Sequence, residues 1–286
     1  MNIYTNKPDP FFEGRIIIHD LSSSPKLCGL DVGYERGEWR YNDFAEYLFE
    51  WLPEFALKYT DLTKINSATA MAFIKKAART VYNTDKYKKR GEFGELLLHA
   101  IIRELFNSQP IISKLYYKSS INETIKGFDA VHIVDNGGEL ELWLGEVKFY
   151  KDISKAIASV IKELQQHIQN DYLKSEFSLI TTKIDDQWAY AKRIKKLLSV
   201  RTGLDEVFKR LCVPVLLTYE SETVRQHNSI SNEFKEQLLN EFSNHYQAFC
   251  KRLPMEKLNI HLLLLPLKDK DTLLKVLHKR LEGMQR

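Results

Sequence analysis

Gly127-Phe128-Asp129-Ala130-Val131-His132-Ile133-Val134-Asp135-Asn136-Gly137-Gly138-Glu139-Leu140-Glu141-Leu142-Trp143-Leu144-Gly145-Glu146-Val147-Lys148-Phe149 reads as a β-hairpin. Apolar side chains recur with period 2 on both sides of Asp135-Asn136-Gly137-Gly138, and the Asn-Gly pair inside that break is the strongest short-range signal for a tight turn. A two- or four-residue loop centred there pairs Ile133 with Leu140, Val131 with Leu142, and Asp129 with Leu144. Side chains alternate faces along a strand. The face that carries Ile133, Val131, Leu140, Leu142 and Leu144 then also carries Asp129, Glu146 and Lys148. Two carboxylates and a lysine ending an apolar face need partners or a metal ion, because burying a lone charge costs several kcal/mol. The bland alternative is a solvated ion-pair cluster at a sheet edge. A three-residue loop would turn Asp129 to the other face, whereas Glu146 and Lys148 stay together in either case.

Outward from the hairpin, an amphipathic helix is expected over about Glu92 to Phe106, stopped near Asn107 and Pro110, followed by a strand from Ile111 to Lys118. After the hairpin, a helix from about Asp152 to Leu173 carries Ile153, Ala156, Ile157, Val160, Ile161, Leu164 and Ile168 at core-facing spacing. A charged helical insertion at 175–210 precedes a strand over Val213 to Tyr219, a helix over Asn232 to Leu253, a strand over Leu258 to Leu265 and a helix over Asp269 to Gly283. The order α-β-β-β-α-β-α-β-α from Gly91 onward predicts an α/β fold with a mixed sheet between helices. The first part, residues 1–85, is set apart as an α/β extension suited to partner contacts. It offers a strand over Arg15 to His19, a Gly-rich turn region over Cys28 to Gly37, a helical stretch from Tyr41 to Tyr59 interrupted at Pro53, and a helix from Ser67 to Tyr82. Residues 86–286 form the second unit.

Along the helix from Glu92, the side chains Glu92, Glu95, His99 and Arg103 make one polar stripe at spacings of three and four. It is either a solvent-facing stripe or a means of aiming Glu95 at the acidic end of the hairpin. The helix acid, then Asp129, then Glu146-Val147-Lys148 after sixteen intervening residues resembles the PD-(D/E)XK nuclease superfamily, with Gly127-Phe128-Asp129 in place of the nominal Pro-Asp. Arg90-Gly91-Glu92-Phe93-Gly94-Glu95, Lys126-Gly127-Phe128-Asp129, Gly145 to Tyr150 and Pro214 to Tyr219 together resemble the HamA family, the nuclease subunits of the bacterial Hachiman antiphage defence system.

The resemblance implies a restriction-endonuclease-like (PD-(D/E)XK) core, DNA as substrate, and a superfamily 2 helicase of the HamB type as partner. It further implies that cleavage is restrained until the helicase responds to invading or damaged DNA. By the same resemblance, Asp129, Glu146 and the main-chain carbonyl of Val147 would hold Mg²⁺, with Mn²⁺ able to substitute, and Glu95 a metal-bound water or second metal. Lys148 would orient the attacking water or stabilise the phosphorane. A non-catalytic adaptor with a nuclease fold and a stand-alone repair or junction nuclease are the competing expectations.

Composition bounds these readings. The chain has 286 residues, 44% hydrophobic and 28% charged, enough for a sizeable core. A formal charge of +4 permits nucleic-acid binding without arguing for it. The cysteines Cys28, Cys212 and Cys250 are odd in number and widely spaced, so a disulfide framework is not expected. No signal-peptide layout or membrane-length apolar run is present, and a cytoplasmic protein without membrane contacts is expected. Histidines lack zinc-ligand spacing, and no phosphate loop suggests a bound nucleotide. Basic surfaces are offered by residues 85–91, more usually a solvated linker or helix start, by Tyr116-Tyr117-Lys118, more often an amphipathic edge strand, and by Lys151, Lys155, Ser159, Lys162 and Gln166, which also read as an ordinary solvated helix face.

Overall fold

The computed structural model describes residues 4, 6–81, 91–113, 127–253 and 258–286. Residues 85–90, Tyr116-Tyr117-Lys118 and Lys126, singled out above, lie outside the described residues. The N-terminal elements are β1 (Ile16–Asp20), β2 (Lys26–Leu30), β3 (Tyr34–Glu35), β4 (Glu38–Trp39), α1 (Tyr41–Glu50), α2 (Leu52–Ala56), α3 (Tyr59–Leu62) and α4 (Ala70–Val81). Then come α5 (Glu92–Phe106), β5 (Gln109–Pro110), β6 (Ala130–Asn136), β7 (Glu139–Phe149), α6 (Ile153–His167), α7 (Asn170–Lys183), α8 (Ala191–Leu197) and α9 (Leu204–Phe208). The chain closes with β8 (Leu211–Glu220), α10 (Glu222–Gln226), α11 (Asn232–Cys250), β9 (Asn259–Leu267) and α12 (Lys270–Gln285).

One seven-stranded sheet, ordered β1-β2-β9-β8-β7-β6-β5, runs through the molecule, with helices on both faces. Its middle strands β2, β9, β8 and β7 are mutually parallel, and β1, β6 and β5 are added antiparallel at the edges. The mixed, helix-flanked sheet expected from the element order is therefore present. The described N-terminal residues share it, because β2 pairs directly with β9. Among the described residues, no helix is long and apolar enough to cross a membrane.

Three local differences from the sequence reading have physical causes. The segment around Cys28, expected as a turn region, contains β2. Gly29 is its enabling residue, since a Cβ there would come within 2.5 Å of the Phe242 ring on α11 and 2.8 Å of Ile18 on β1. The helix expected to run on to Leu173 breaks after His167, where Gln169 turns extended and α7 starts anew at Asn170. The hairpin, finally, turns at Gly137-Gly138 rather than Asn136-Gly137. Both central glycines have positive φ, 63° and 98°, as a type I′ turn requires. The pairs are therefore Ile133 with Leu142 and Val131 with Leu144. The shift is two residues, so the faces are those expected while Asp129 moves from opposite Leu144 to opposite Glu146.

The polar stripe of α5 does not face solvent. His99 and Arg103 are buried against the N-terminal part of the chain. The Arg103 guanidinium donates to both Glu54 carboxylate oxygens on α2 and to the carbonyls of Ser108 and Tyr4, the last at 2.9 Å. His99 Nε2 lies 3.1 Å from Glu54 Oε1, His99 Nδ1 lies 3.2 Å from His132 Nε2, and His132 Nδ1 lies 2.9 Å from Ser108 Oγ. Burial acts to raise the Glu54 carboxyl, but His99 and Arg103 outweigh it and hold it below its usual range. Burial pushes both imidazoles down, so they sit neutral in this network. Arg103→Met would leave Glu54 as an uncompensated buried charge, and a loss of about 3–5 kcal/mol of unfolding free energy is expected in urea titrations. A change below about 1 kcal/mol would show that the network does not clamp the N-terminal part.

Candidate active site

Four backbone and side-chain positions at the open end of the hairpin build the site. The regular β6–β7 ladder ends at the pair Ala130–Gly145. Beyond it the Asp129 N–H donates to the Gly145 carbonyl at 2.8 Å, and the chain bends. The Asp129 carboxylate then takes over the role of a ladder carbonyl: Oδ2 accepts the Val147 N–H at 2.9 Å. This bond fixes the half-buried carboxylate beside Glu146 and Lys148. On an extended strand the N–H and C=O of one residue point to the same neighbour. The Val147 carbonyl is thus directed to the Asp129 side, past the last ladder pair.

Glu146 and Lys148 are buried, with Lys148 Nζ 4.0 Å from Glu146 Oε2. They face α6, and two of its side chains engage them. The Lys148 ammonium donates to Glu163 Oε2, and His167 Nδ1 lies 2.5 Å from Glu146 Oε1. A carboxylate oxygen only accepts, so the imidazole proton belongs on Nδ1. The His167 ring stacks on Tyr172 of α7, centroids 4.5 Å apart and planes 11° apart, and meets Phe128 edge-on at 5.1 Å. Burial lowers the His167 pKa against the raising pull of Glu163, Asp129 and Glu176. For Lys148 the balance is opposite. Burial acts to lower it, but Asp129, Glu163 and Glu146 together leave it above the ordinary lysine value. Lys148 is thus a fixed positive charge, suited to stabilising an anion rather than to taking up a proton.

The structure therefore brings together Asp129, Glu146, Val147 and Lys148, four of the sequence candidates. Glu95 stands in the first turn of α5, on the other face of the sheet, where neighbouring Gly94 closes on Val147 and Phe149. Lys151, Lys155, Lys162 and Gln166 are exposed, and Lys151 pairs with Asp271 at 2.8 Å. Glu163 and His167 are additions that the sequence reading passed over. Their trace was the spacing of four on the border of the apolar stripe of α6.

The sequence model of the HamA family matches residues 9–281, through both the N-terminal part and the sheet that carries the site. The chain belongs to the HamA family. This HamA-family chain is also similar to Anti-bacteriophage protein A of Escherichia coli (strain K12), with 27% identity over 243 residues. The similar region covers 82% of the chain and 44% of that relative, so the chain spans less than half of its length.

As a metal site, the HamA-family cluster offers the donors a hard cation prefers: two carboxylates and a carbonyl on the Asp129 side of the strand. Among the described residues, no group of three or more His, Cys, Asp or Glu side chains is arranged to hold a metal ion. A Mg²⁺-type site needs only one or two carboxylates, the remaining positions being water. The donor chemistry fits. In the present arrangement, however, His167 occupies Glu146 Oε1, and the Val147 N–H occupies Asp129 Oδ2. Asp129→Ala would release the start of β6 and is expected to cost about 1.5–3 kcal/mol, the worth of a hydrogen bond to a charged group. Asp129→Asn keeps an acceptor for Val147 and should retain most of that stability. Equal midpoints for the two variants in chemical denaturation would discount the anchoring role.

Proposed function

We propose that this chain is a divalent-metal-dependent DNA endonuclease of the PD-(D/E)XK type, acting in antiphage defence under the control of a HamB-like superfamily 2 helicase. The observation that carries the reading is the convergence of Asp129, Glu146 and Lys148 at one strand end. Membership of the HamA family and similarity to an anti-bacteriophage protein support the biological setting. The restriction-endonuclease-like core is part of the proposal and is consistent with the αβββα succession from α5 to α6 on a mixed sheet.

In this reading Asp129 and Glu146 would hold Mg²⁺ or Mn²⁺ together with the Val147 carbonyl. A bound divalent cation supplies Lewis-acid activation of water and neutralises charge on the phosphate. Lys148 contributes a preformed ammonium for the charge that develops on the phosphorane, and its raised pKa keeps that charge in place across the neutral range. Glu95, on the α5 face, would have to reach a cation past the end of β7, so it is given only a supporting role through a bound water. The products are a 5′-phosphate and a 3′-hydroxyl. A non-catalytic adaptor is the competing reading, and the pairing of Glu146 and Lys148 with α6 favours it to the extent that both charges already have partners. Against it, the cluster retains every charge that phosphodiester hydrolysis needs.

Plasmid cleavage with Mg²⁺ tests the reading, with wild type and Lys148→Ala each assayed alone and with the partner helicase. Lys148→Ala should lower the rate by at least about a hundredfold, the scale seen when one electrostatic stabiliser is removed. Circular dichroism should show an unchanged fold. Cleavage at the wild-type rate would remove Lys148 from the mechanism, and DNA or helicase binding without any cleavage would favour the adaptor.

A further inference from the structure

Side chains of α6 stand where the proposed chemistry needs open space. His167 Nδ1 is 2.5 Å from Glu146 Oε1, too close for a cation to sit between them. Glu163 satisfies the Lys148 ammonium on which a scissile phosphate would rest, and Glu146 is only 1% exposed. The hold on His167 comes from outside the cluster. The break between α6 and α7 folds Tyr172 back so that its ring lies flat against the imidazole, while Phe128 closes the edge.

We propose that Glu163 and His167 form an internal latch, held shut by Tyr172, that keeps Glu146 from a divalent cation and Lys148 from phosphate until the α6–α7 junction moves. The inference rests on the nuclease reading of the site but concerns its resting state. It requires no rearrangement of the sheet: a change of the His167 side chain and a small shift of the α6 end expose both groups. A cation that binds only the open form has its affinity reduced by the fraction of molecules that are open. A helicase that engaged the α6–α7 junction would raise that fraction without touching the catalytic groups.

The test is Mn²⁺ binding to the full chain, followed by the electron paramagnetic resonance of the free ion, beside plasmid nicking without the helicase. His167→Phe keeps the ring packing and removes the donor to Glu146. It should tighten Mn²⁺ binding by at least about tenfold, the low end of what one hydrogen bond to a charged group is worth. Tyr172→Leu leaves both latch side chains in place and should give a smaller gain in the same direction. Glu163→Gln should raise nicking several-fold while leaving Mn²⁺ affinity within about twofold, since it removes the charge that holds the lysine and leaves the carboxylate of Glu146 as it was. Weaker or unchanged Mn²⁺ binding in both His167→Phe and Tyr172→Leu would overturn the latch, as would slower nicking by Glu163→Gln. Tighter Mn²⁺ binding without DNA cleavage by any variant, alone or with the helicase added, would uphold the latch on the metal position and overturn the nuclease reading. No Mn²⁺ binding by any form would overturn both.

Discussion

A two-residue turn sets where Asp129 stands against Glu146 and Lys148. Gly137 and Gly138 both take positive φ, a backbone state that side chains with a Cβ rarely adopt. Once the turn is centred there, the β6–β7 register follows, and Asp129 arrives opposite Glu146 rather than opposite Leu144. The Asp129 carboxylate can then accept the Val147 N–H, which ends the ladder and turns a structural hydrogen bond into the anchor of a charged cluster. The cluster is therefore a property of register. A slip by one residue would send Asp129 to the face of α5 and separate it from Lys148.

The two faces of the sheet divide the work. On the α5 face, charge is consumed in holding the molecule together: Arg103 and Glu54 neutralise each other, and two neutral histidines and Ser108 complete the network. On the α6 face, Asp129, Glu146 and Glu163 surround one ammonium, and carboxylates outnumber cations. Such an excess of negative charge in a partly closed space favours a divalent cation. The helix arrangement follows from this division. The N-terminal helices pack on the α5 face, and the candidate site lies under α6, whose C-terminal end leads into the insertion.

Much of this was legible in the amino-acid sequence wherever the pattern was local. The period-2 alternation of Phe128 to Val134 and Leu140 to Lys148 gave the strands and the shared face of Asp129, Glu146 and Lys148, and the 3.6-residue stripe of Ile153 to Leu164 gave α6. The ends of α5 were marked by Gly91 and by Asn107, which adopts a left-handed conformation at the helix end. Long-range contacts were not legible. The stripe Glu92, Glu95, His99, Arg103 looks like a solvated helix face because its main partner, Glu54, lies 49 residues away. β2 looks like a turn because Gly29 weakens the strand signal, and only the Phe242 ring explains the glycine. Glu163 and His167 were hidden by a helix that seemed to continue, since nothing in the run from Gln165 to Leu173 is a strong breaker.

The pairing of β2 with β9 carries a consequence for biogenesis. Lys26 and His261 lie side by side but are 235 residues apart in sequence. At a synthesis rate of about 5–20 residues per second, β2 leaves the ribosome roughly ten to fifty seconds before its neighbour exists. During that interval β1 and β2 form at most an isolated hairpin with an open edge, which is poorly stable and prone to pair with other chains. The Arg103–Glu54 clamp closes well before β9 is made, so the N-terminal helices can dock on α5 while β2 still waits. The sheet cannot close through its middle until β9 is available to pair with both β8 and β2. Folding of this topology is accordingly slow and dominated by one late, non-local step.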